Sequence, residues 1–397
     1  MSKNGRSPYS KSAASQPIDS IGSANIDASK LRIENSNAPK TKSPPSELNF
    51  GQTFTDHMLV LNWSQDAGWS DPLIQPYQPL VLDPSATVFH YAPSLFEGMK
   101  AYKGADGQIR LFRPDKNMAR MNTSAERLAF PAFDGAELIK LIKSLVKLDS
   151  DWIPTEPGYS LYIRPTMIGT QVGLGVGPST NVMLYVICSP VGPYYKTGFK
   201  PVSLLASTKY VRAWPGGTGA YKLGANYATG VVPQVQAASD GYQQILWLFG
   251  DDHELTEVGT MNLFLAIEQD DGKLEVITPP LDDKILPGIT RDSVLSLLRG
   301  HADGTASLDG LSKDLVISER KICMSEVIEA SRKSKLREVF GAGTAAIVCS
   351  VDRIGYEGKD ISIPVGSQGL GDIAAIVQRE ILGRQTGVIP SEWSVVA

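Results

Sequence analysis

Lys222 and Glu257 are the two charged residues of this chain whose surroundings are best suited to chemistry. Lys222 lies in the glycine-rich run GGTGAYKLGANY at 216–227, and Glu257 lies in the apolar run LTEVGTMNLFLAI at 255–267. A lysine beside glycines is a candidate Schiff-base nucleophile, because glycine lets a ligand approach the backbone. A carboxylate at the opening of a strand-like run is a candidate partner for a protonated ring nitrogen. Pyridoxal phosphate requires both groups, together with a phosphate cup.

Three further features are candidates for that phosphate cup. Ile289 and Thr290 come just before a predicted helix, where free backbone N–H groups and the helix dipole favour an anion. Thr344 lies at a glycine turn that enters a strand, and such turns form backbone nests for anions. Arg120, within a predicted helix, would add a bidentate cation. Each feature has an ordinary alternative: capping for Thr290, a tight turn for Thr344 and a surface charge for Arg120.

Lys222 and Glu257 have ordinary alternatives too, a solvated loop lysine and an exposed glutamate at a strand end. A different cofactor is suggested by the glycine spacing of GLGVG at 173–177. That run follows no clean strand and opens no helix, and Pro178 comes directly after it, so the sequence does not predict a dinucleotide fingerprint there.

Composition excludes several other classes of function. The chain has 397 residues, long enough for two domains, and a formal net charge of −4, which leaves no footprint for nucleic acid or an anionic membrane. No apolar run approaches the roughly 20 residues of a membrane span. The three cysteines and four histidines are scattered, so we expect neither a disulfide framework nor a metal site.

The residues before Leu48 differ in composition from the rest. They are rich in Ser, Lys, Asn and Pro, and we expect a disordered tail over 1–47. A transit peptide is the alternative, because Lys3, Arg6 and Lys11 precede the first acidic residue, but an amphipathic apolar stripe is missing. The sequence therefore favours a cytoplasmic protein, with the mitochondrial matrix as the alternative.

The remaining chain predicts a mixed α/β, or α+β, protein of two domains. We expect a smaller N-terminal α/β domain over 48–192, a Gly- and Pro-containing linker over 193–200, and a larger, more strand-rich domain over 201–397. Periodicity predicts helices over 115–130, 134–149, 227–239, 291–300, 324–333 and 371–385. It predicts strands over 58–63, 109–112, 160–165, 181–189, 202–207, 244–250, 262–267, 274–277 and 345–351.

Several long runs, taken in order, closely resemble the branched-chain amino acid aminotransferases of fold type IV, and some features look like the fungal branch. The runs include FHYAPSLFEGMKAYKG at 89–104, LYIRPTMIGT at 161–170, KYVRAWPGGTGAYKLGANY at 209–227, LTEVGTMNLF at 255–264, LPGITRD at 286–292 and FGAGTAAIV at 340–348. The resemblance extends from residue 50 to the C-terminus. It implies a pyridoxal phosphate enzyme with the cofactor at the domain interface.

The resemblance also implies roles for the residues already singled out. Lys222 matches the Schiff-base lysine, which carries a proton between the substrate Cα and the cofactor C4′. Glu257 matches the ring-nitrogen partner, and Tyr227 matches the phenol that hydrogen-bonds the cofactor O3′. The matches to the phosphate cup are Arg120, Ile289, Thr290 and Thr344.

A substrate pocket and a second subunit follow from the same resemblance. The aromatic wall of the pocket matches Phe96, Tyr162 and Tyr194, while Thr260 and Ala345 match positions nearer the α-carboxylate. Groups contributed by the other subunit of a homodimer match Tyr91, Leu174 and Val176. Arg164 in the YIRP run is the candidate cation for the side-chain carboxylate of glutamate. The alternative is a structural arginine held by Tyr91 and a backbone carbonyl.

The implied reaction exchanges amino groups between L-leucine, L-isoleucine or L-valine and 2-oxoglutarate, giving branched-chain 2-oxo acids and L-glutamate. Mammalian members of the family carry a Cys-x-x-Cys pair after the Gly-Thr-Ala turn, whereas this chain has Ala346 and Cys349 there. A disulfide needs two thiols, so we expect no dithiol switch at this point. The alternatives are a D-amino acid aminotransferase, an aminodeoxychorismate lyase, and a binding protein on the same scaffold.

Overall fold

Two β-sheets, with helices packed against them, make up the chain. The computed structural model describes residues 25–192, 200–367 and 369–397. In the N-terminal sheet all strand pairs are antiparallel except the parallel pair of Arg32–Ile33 with Leu73–Pro76. Its first nine strands are β1 Arg32–Ile33, β2 His57–Ser64, β3 Gly68–Trp69, β4 Leu73–Pro76, β5 Ser94–Phe96, β6 Met99–Lys103, β7 Ile109–Phe112, β8 Ser160–Gly169 and β9 Asn181–Val191.

Nine strands of the described residues, all between residues 202 and 362, form the second sheet. Its strands are β10 Val202–Ser207, β11 Gln244–Phe249, β12 Glu254–Val258, β13 Met261–Glu268, β14 Leu274–Thr278, β15 Leu315–Glu319, β16 Leu336–Gly343, β17 Ile347–Tyr356 and β18 Lys359–Ser362. Strand β10 pairs in parallel with β11 and β17, while β13 pairs antiparallel with β12, β14 and β16. This mixture of parallel and antiparallel pairs confirms the predicted mixed α/β class.

The helices are α1 Thr87–Tyr91, α2 Pro114–Arg127, α3 Gly135–Leu148, α4 Ala225–Ala228, α5 Val231–Ser239, α6 Ile289–Asp303, α7 Met324–Arg332 and α8 Asp372–Thr386. Asp134 begins α3 by accepting from the N–H groups of Ala136 and Glu137, and Leu138, Leu141, Ile142, Leu145 and Val146 form its buried face. Most predicted helices lie within one to three residues of these bounds.

The single helix predicted over 227–239 is wrong, because the chain forms two short helices there. Thr229 and Gly230 separate α4 from α5, and Pro233 lies in the first turn of α5. A proline ring supplies no N–H to a preceding carbonyl, so it is tolerated in a first turn but interrupts a continuous helix. The strand predicted over 345–351 also begins too early, since β17 begins at Ile347 and the residues before it form a turn.

The described part of the predicted disordered tail is ordered, which corrects that prediction for residues 25–47. Ile26 is buried in the N-terminal core, and the N–H of Ala28 donates to Glu137 Oε2 at 2.8 Å. Strand β1 pairs in parallel with β4. The N–H of Ser36 donates to His57 Nε2 at 2.9 Å. A few buried and hydrogen-bonded contacts hold a segment whose composition alone favours disorder.

The C-terminus returns to the N-terminal sheet. The last strand, β19 Ser394–Val396, pairs antiparallel with β7, and the N–H of Arg113 donates to the Trp393 carbonyl at 2.7 Å. We expected residues 201–397 to form one domain, but the last strand of that range pairs with the N-terminal sheet. The boundary at 193–200 stays a prediction, because residues 193–199 lie outside the described residues.

Two kinds of feature are not found in the part of the chain that the structure describes. No helix there is both long enough and apolar enough to cross a membrane. No cluster of three or more His, Cys, Asp or Glu side chains there could hold a metal ion.

Candidate active site

A cavity of about 380 Å³ lies between the two sheets and collects most of the predicted site residues. Strands β5 and β8, the β5–β6 connection and helix α2 contribute from the N-terminal unit, while the β12–β13 turn, the start of α6 and the β16–β17 turn contribute from the other. The predicted residues that line it are Phe96, Arg120, Tyr162, Arg164, Lys222, Tyr227, Thr260, Ile289, Thr290, Thr344 and Ala345. The cavity therefore joins residues that lie far apart in the sequence, from Phe50 to Ala345.

Lys222 reaches into the cavity from a loop that is anchored to the N-terminal unit. Its N–H donates to Ser124 Oγ at 2.9 Å, and its carbonyl accepts from the N–H of Phe96 at 3.1 Å. Its Nζ donates to Tyr227 Oη at 3.1 Å and lies 4.8 Å from the centre of the Phe96 ring. Both main-chain groups are thus fixed, and the amine points at a phenol within an aromatic wall. The solvated-loop alternative does not describe this lysine.

Glu257 lies just behind the cavity and is 2% exposed. Its Oε2 is 2.9 Å from Arg212 Nε, and its Oε1 accepts from the N–H of Leu286 at 2.8 Å. Burial raises the pKa of the Glu257 carboxyl, and the Arg212 guanidinium and the Leu286 N–H offset part of that rise. Asn262 Nδ2 also donates to Glu257 Oε1, at 3.3 Å. Paired with Arg212, the carboxyl remains able to carry negative charge inside the protein.

Arg120 on α2 is held by a fully buried carboxylate. Its Nε and Nη2 donate to the two oxygens of Glu97 at 2.7 and 2.8 Å, and its Nη1 donates to the Pro287 carbonyl at 3.0 Å. Asn117 Nδ2 donates to Glu97 Oε2 at 2.7 Å. Burial alone would raise the pKa of Glu97, but Arg120 brings it below its usual value. The guanidinium is therefore rigidly oriented at the cavity wall, and the surface-charge alternative is wrong.

Helix α6 begins at the cavity with free backbone donors. Gly288 precedes the helix, and no side chain caps it. Within the described residues, the N–H groups of Ile289 and Thr290 donate to no other group. A Cβ at Gly288 would lie 1.9 Å from Asn262 Oδ1, so only glycine allows this close packing. An uncapped helix N-terminus at a cavity is suited to a phosphate.

The β16–β17 turn forms the opposite part of the rim. Gly343 pairs with Ile347, and Thr344, Ala345 and Ala346 lie between them. In the part of the chain that the structure describes, the N–H groups of these three residues donate to no protein acceptor. Consecutive free N–H groups in a tight turn form an anion-binding nest. The turn therefore offers donors to a negatively charged ligand.

Arg164 lies on the aromatic side of the cavity. Its Nη2 donates to Tyr162 Oη at 3.1 Å, and its guanidinium carbon lies 4.6 Å from the centre of the Phe96 ring. Its Nε is buried and has no partner among the described residues. The alternative role for Arg164 is that of a structural arginine held by Tyr91. The geometry does not match that role, because Tyr91 Oη donates instead to the Leu174 carbonyl.

Besides Glu257, three predicted residues of the described chain do not line its own cavity. Tyr91, Leu174 and Val176 lie on an exposed surface, with Val176 82% exposed. Tyr194 lies outside the described residues. The exposed positions accord with side chains that would act on another molecule, and their roles stay predictions.

Sequence reasoning missed several residues that hold the site together. Arg212 pairs with Glu257, Glu97 pairs with Arg120, and Asn262 joins Glu257 to the Leu286 carbonyl through a 2.9 Å bond. Phe50 also lines the cavity. Glu97 and Arg212 occur in runs already noted, FEGMK and KYVRAW, but each is recognisable only through a partner distant in sequence.

The cysteine near the turn is buried. Cys349 is 4% exposed, and burial raises the pKa of its thiol to about 12. All three cysteines are free thiols, with Cys188 buried and Cys323 partly exposed. A protonated, buried thiol is a poor nucleophile.

The fold and the lysine-centred cavity together define an enzyme of the class IV aminotransferase type. The family model described as amino-transferase class IV matches residues 94–354. That range includes every residue that lines the cavity except Phe50. The chain belongs to this family, and its relatives place it among the branched-chain-amino-acid aminotransferases.

Those relatives are similar over nearly the whole chain. The cytosolic branched-chain-amino-acid aminotransferase of Saccharomyces cerevisiae is 52% identical over 377 residues, 94% of this chain and 98% of the relative. The mitochondrial enzyme of the same yeast is 53% identical over 86% of this chain and 85% of the relative. The Monosiga brevicollis enzyme is 50% identical over 94% and 92%. The relatives thus include fungal proteins and both cytosolic and mitochondrial forms.

Solved structures show the same fold, which is fold type IV. The branched-chain amino acid aminotransferase of Escherichia coli aligns with a TM-score of 0.66 at 24% identity, over 85% of this chain and 97% of that one. The T.th. enzyme complexed with N-(5'-phosphopyridoxyl)-L-glutamate aligns with a TM-score of 0.64 at 25% identity, over 84% and 97%. The likeness at these identities concerns the architecture.

Proposed function

We propose that this chain transfers amino groups from L-leucine, L-isoleucine and L-valine to 2-oxoglutarate, giving branched-chain 2-oxo acids and L-glutamate, with pyridoxal 5'-phosphate as its cofactor. One observation carries the proposal. The amine of Lys222, hydrogen-bonded to Tyr227, lies in the same cavity as Arg164 and two sets of free backbone donors. Few ligands other than a phosphorylated aldehyde would use all of these groups together.

The donor set fits pyridoxal phosphate. The free N–H groups at the start of α6 and the side chain of Thr344 would hold the phosphate, with Arg120 as the nearby cation. Tyr227 would donate to the ring hydroxyl oxygen, and Glu257 would keep the ring nitrogen protonated. When bound, the cofactor supplies an electron sink for the carbanion that forms at the substrate α-carbon.

Lys222 then has two tasks. It would bind the cofactor aldehyde, and its amine would carry a proton to and from the α-carbon of the substrate. The hydrogen bond from Lys222 Nζ to Tyr227 Oη and the ring contact with Phe96 hold the amine in one direction. An oriented amine in a partly dry cavity is a better proton carrier than a solvated one, because less reorganisation precedes the transfer.

One pocket must accept both an apolar and an acidic side chain. The Phe96 and Tyr162 rings offer an apolar surface to leucine, isoleucine or valine. Arg164 lies over the same rings and retains a buried Nε–H without a partner among the described residues. That donor would bind the side-chain carboxylate of glutamate or 2-oxoglutarate. The cation and the apolar wall thus occupy one site, as a reaction with two alternating substrates needs.

We further propose a homodimer in which Tyr91, Leu174 and Val176 reach the site of the neighbouring subunit. All three are exposed in the chain, and large apolar side chains clustered on a surface favour contact with another protein. Light scattering of the purified protein at twice the chain mass supports this arrangement, whereas a fully active monomer contradicts it.

We place the protein in the cytoplasm, with the mitochondrial matrix as the alternative.

A substrate panel tests the function. The purified protein, supplied with pyridoxal phosphate and 2-oxoglutarate, is expected to form L-glutamate with L-leucine, L-isoleucine and L-valine and not with D-alanine. A shift in the cofactor absorbance on adding L-leucine alone provides a second readout. Turnover of D-alanine in preference to the three L-amino acids would contradict the proposal, as would a protein that binds no cofactor.

A further inference from the structure

A buried lysine lies under the cavity and has no part in the function proposed above. Lys100 on β6 is 5% exposed, and it lies opposite Tyr162 on β8. Its Nζ donates to the Ala345 carbonyl at 2.8 Å. Among the described residues, no carboxylate lies within ion-pair distance of it. A buried ammonium without a counter-ion is costly, so its hydrogen bond to the Ala345 carbonyl is the feature of interest.

The group that Lys100 contacts is the turn with free donors. Thr344, Ala345 and Ala346 connect β16 to β17, and their N–H groups donate to no acceptor in the described part of the chain. Ile347, which follows, has a φ of +65°, a region that a β-branched residue rarely adopts. A turn with unused donors and a strained exit needs an external contact to keep one conformation. Lys100 supplies that contact.

We propose that Lys100 is a positioning residue that holds the 344–346 turn so that its N–H groups bind the α-carboxylate of the substrate. In a trans peptide the C=O and N–H bonds point in opposite directions, so fixing the Ala345 carbonyl toward Lys100 turns the Ala346 N–H away from it. The inference rests on the proposed function, because it concerns how the chain holds the turn at Ala345, a position that the resemblance already implies is near the α-carboxylate.

The charge of Lys100 favours binding of the α-carboxylate, as its hydrogen bond to the turn does. Burial lowers the pKa of Lys100 to about 7, because the surroundings solvate an ammonium poorly. A carboxylate bound on the other side of the turn favours the protonated amine, and the ammonium in turn favours the carboxylate. The α-carboxylate is common to the amino acids and the 2-oxo acids. Lys100 therefore serves every substrate, unlike Arg164, which would distinguish glutamate from leucine.

The test uses 4-methylvaleric acid, which has a branched apolar chain and a carboxylate but no amino group; it is the ligand of a solved T.th. enzyme. The probe is titrated into the cofactor-loaded wild-type protein and into Lys100→Met. We expect binding to weaken about 10- to 100-fold, the range for a lost hydrogen bond from a charged group. Lys103→Met, at an exposed position of the same strand, is the matched control and binds like wild type. Cofactor affinity is expected to change much less than probe binding, because the start of α6 and Arg120, which would hold most of the phosphate, do not contact Lys100.

Steady-state kinetics separates positioning from general damage. In Lys100→Met, KM for L-leucine and KM for 2-oxoglutarate are expected to rise together, with a much smaller change in kcat. Lys100→Gln also removes the charge. If the methionine variant does not fold, the same measurements on Lys100→Gln test the inference. Unchanged probe binding in both variants overturns the inference while leaving the proposed function intact. A wild-type protein that binds neither the probe nor the cofactor would instead overturn the proposed function.

Discussion

Replacing Lys100 by methionine is expected to stabilise the folded protein near neutral pH while it weakens substrate binding. The reason is the cost of burying an ammonium. Burial lowers the pKa of Lys100 from 10.5 to about 7. Methionine has a similar length and no ionisable group, so the substitution removes that cost and leaves the packing nearly unchanged.

The sign and size follow from proton linkage. The pKa of Lys100 is lower in the folded protein than in the unfolded protein. The folded state is therefore destabilised at every pH at which the unfolded lysine is protonated. The penalty is complete below pH 7 and disappears as the pH rises from 7 to 10.5. At 1.36 kcal/mol per pH unit, it amounts to about 4 kcal/mol at pH 7 and about 1 kcal/mol at pH 9.5.

A second effect opposes the first and does not depend on pH. The Ala345 carbonyl loses its donor, which costs about 1–3 kcal/mol. At a single pH, the net change in the free energy of unfolding caused by Lys100→Met is therefore smaller than the change expected from the pKa alone. The difference between the two pH values is independent of the lost hydrogen bond, and we expect it to be about 3 kcal/mol.

Urea unfolding followed by tryptophan fluorescence measures this difference. The midpoints of wild type and Lys100→Met are compared at pH 7 and at pH 9.5, with the cofactor removed from both. The advantage of the variant should be largest at pH 7 and should shrink or reverse at pH 9.5. Lys103→Met should show no such trend. An equal difference between variant and wild type at the two pH values would refute the assignment of a depressed pKa to this lysine.

The remaining predictions concern the site and its cysteine. Lys222→Ala should lose the visible absorbance of the lysine-linked cofactor and nearly all turnover; an unchanged band with normal turnover would contradict its role. Arg164→Met should raise KM for 2-oxoglutarate far more than KM for L-leucine, and equal changes in the two constants would argue against a cation for the acidic substrate. Arg212→Gln leaves the buried Glu257 without its ion-pair partner and should lower the free energy of unfolding in urea by about 3–5 kcal/mol. The double variant Arg212→Gln/Glu257→Gln should lose less stability than the sum of the two single losses. Strictly additive losses would show that the pair is not coupled. Mild oxidation should not change the activity of wild type, because the Cys349 thiol is buried and has no partner thiol; a large reversible loss that Cys349→Ala abolishes would disprove this.

Local pattern was sufficient for much of the secondary structure. The helix predicted over 134–149 spans Gly135–Leu148, and the strands predicted over 109–112 and 202–207 have those bounds in the structure. Their apolar spacing and capping are local properties of the sequence. Short edge strands such as β1, β3 and β19 carry no such pattern. They form because a partner strand is present, and that information is not local.

The residues with distinctive chemistry were also predictable. Lys222, Glu257 and Thr290 lie in runs whose glycines, strand pattern or helix start are local signals of a bound ligand. Their resemblance to a known family supplied the rest of the site. The structure brings Lys222 and Thr290 to one cavity, with Glu257 directly behind it.

What the sequence by itself determined was the set of groups that could bind and react, the mixed α/β class and the family. Only the tertiary structure decided how those groups are held: Glu97 orients Arg120, Arg212 balances Glu257, and Lys100 holds the turn at Ala345. Each of these contacts joins residues far apart in the chain. Buried charge is tolerable only where such a partner lies within hydrogen-bond distance, and that distance exists only after the chain has folded.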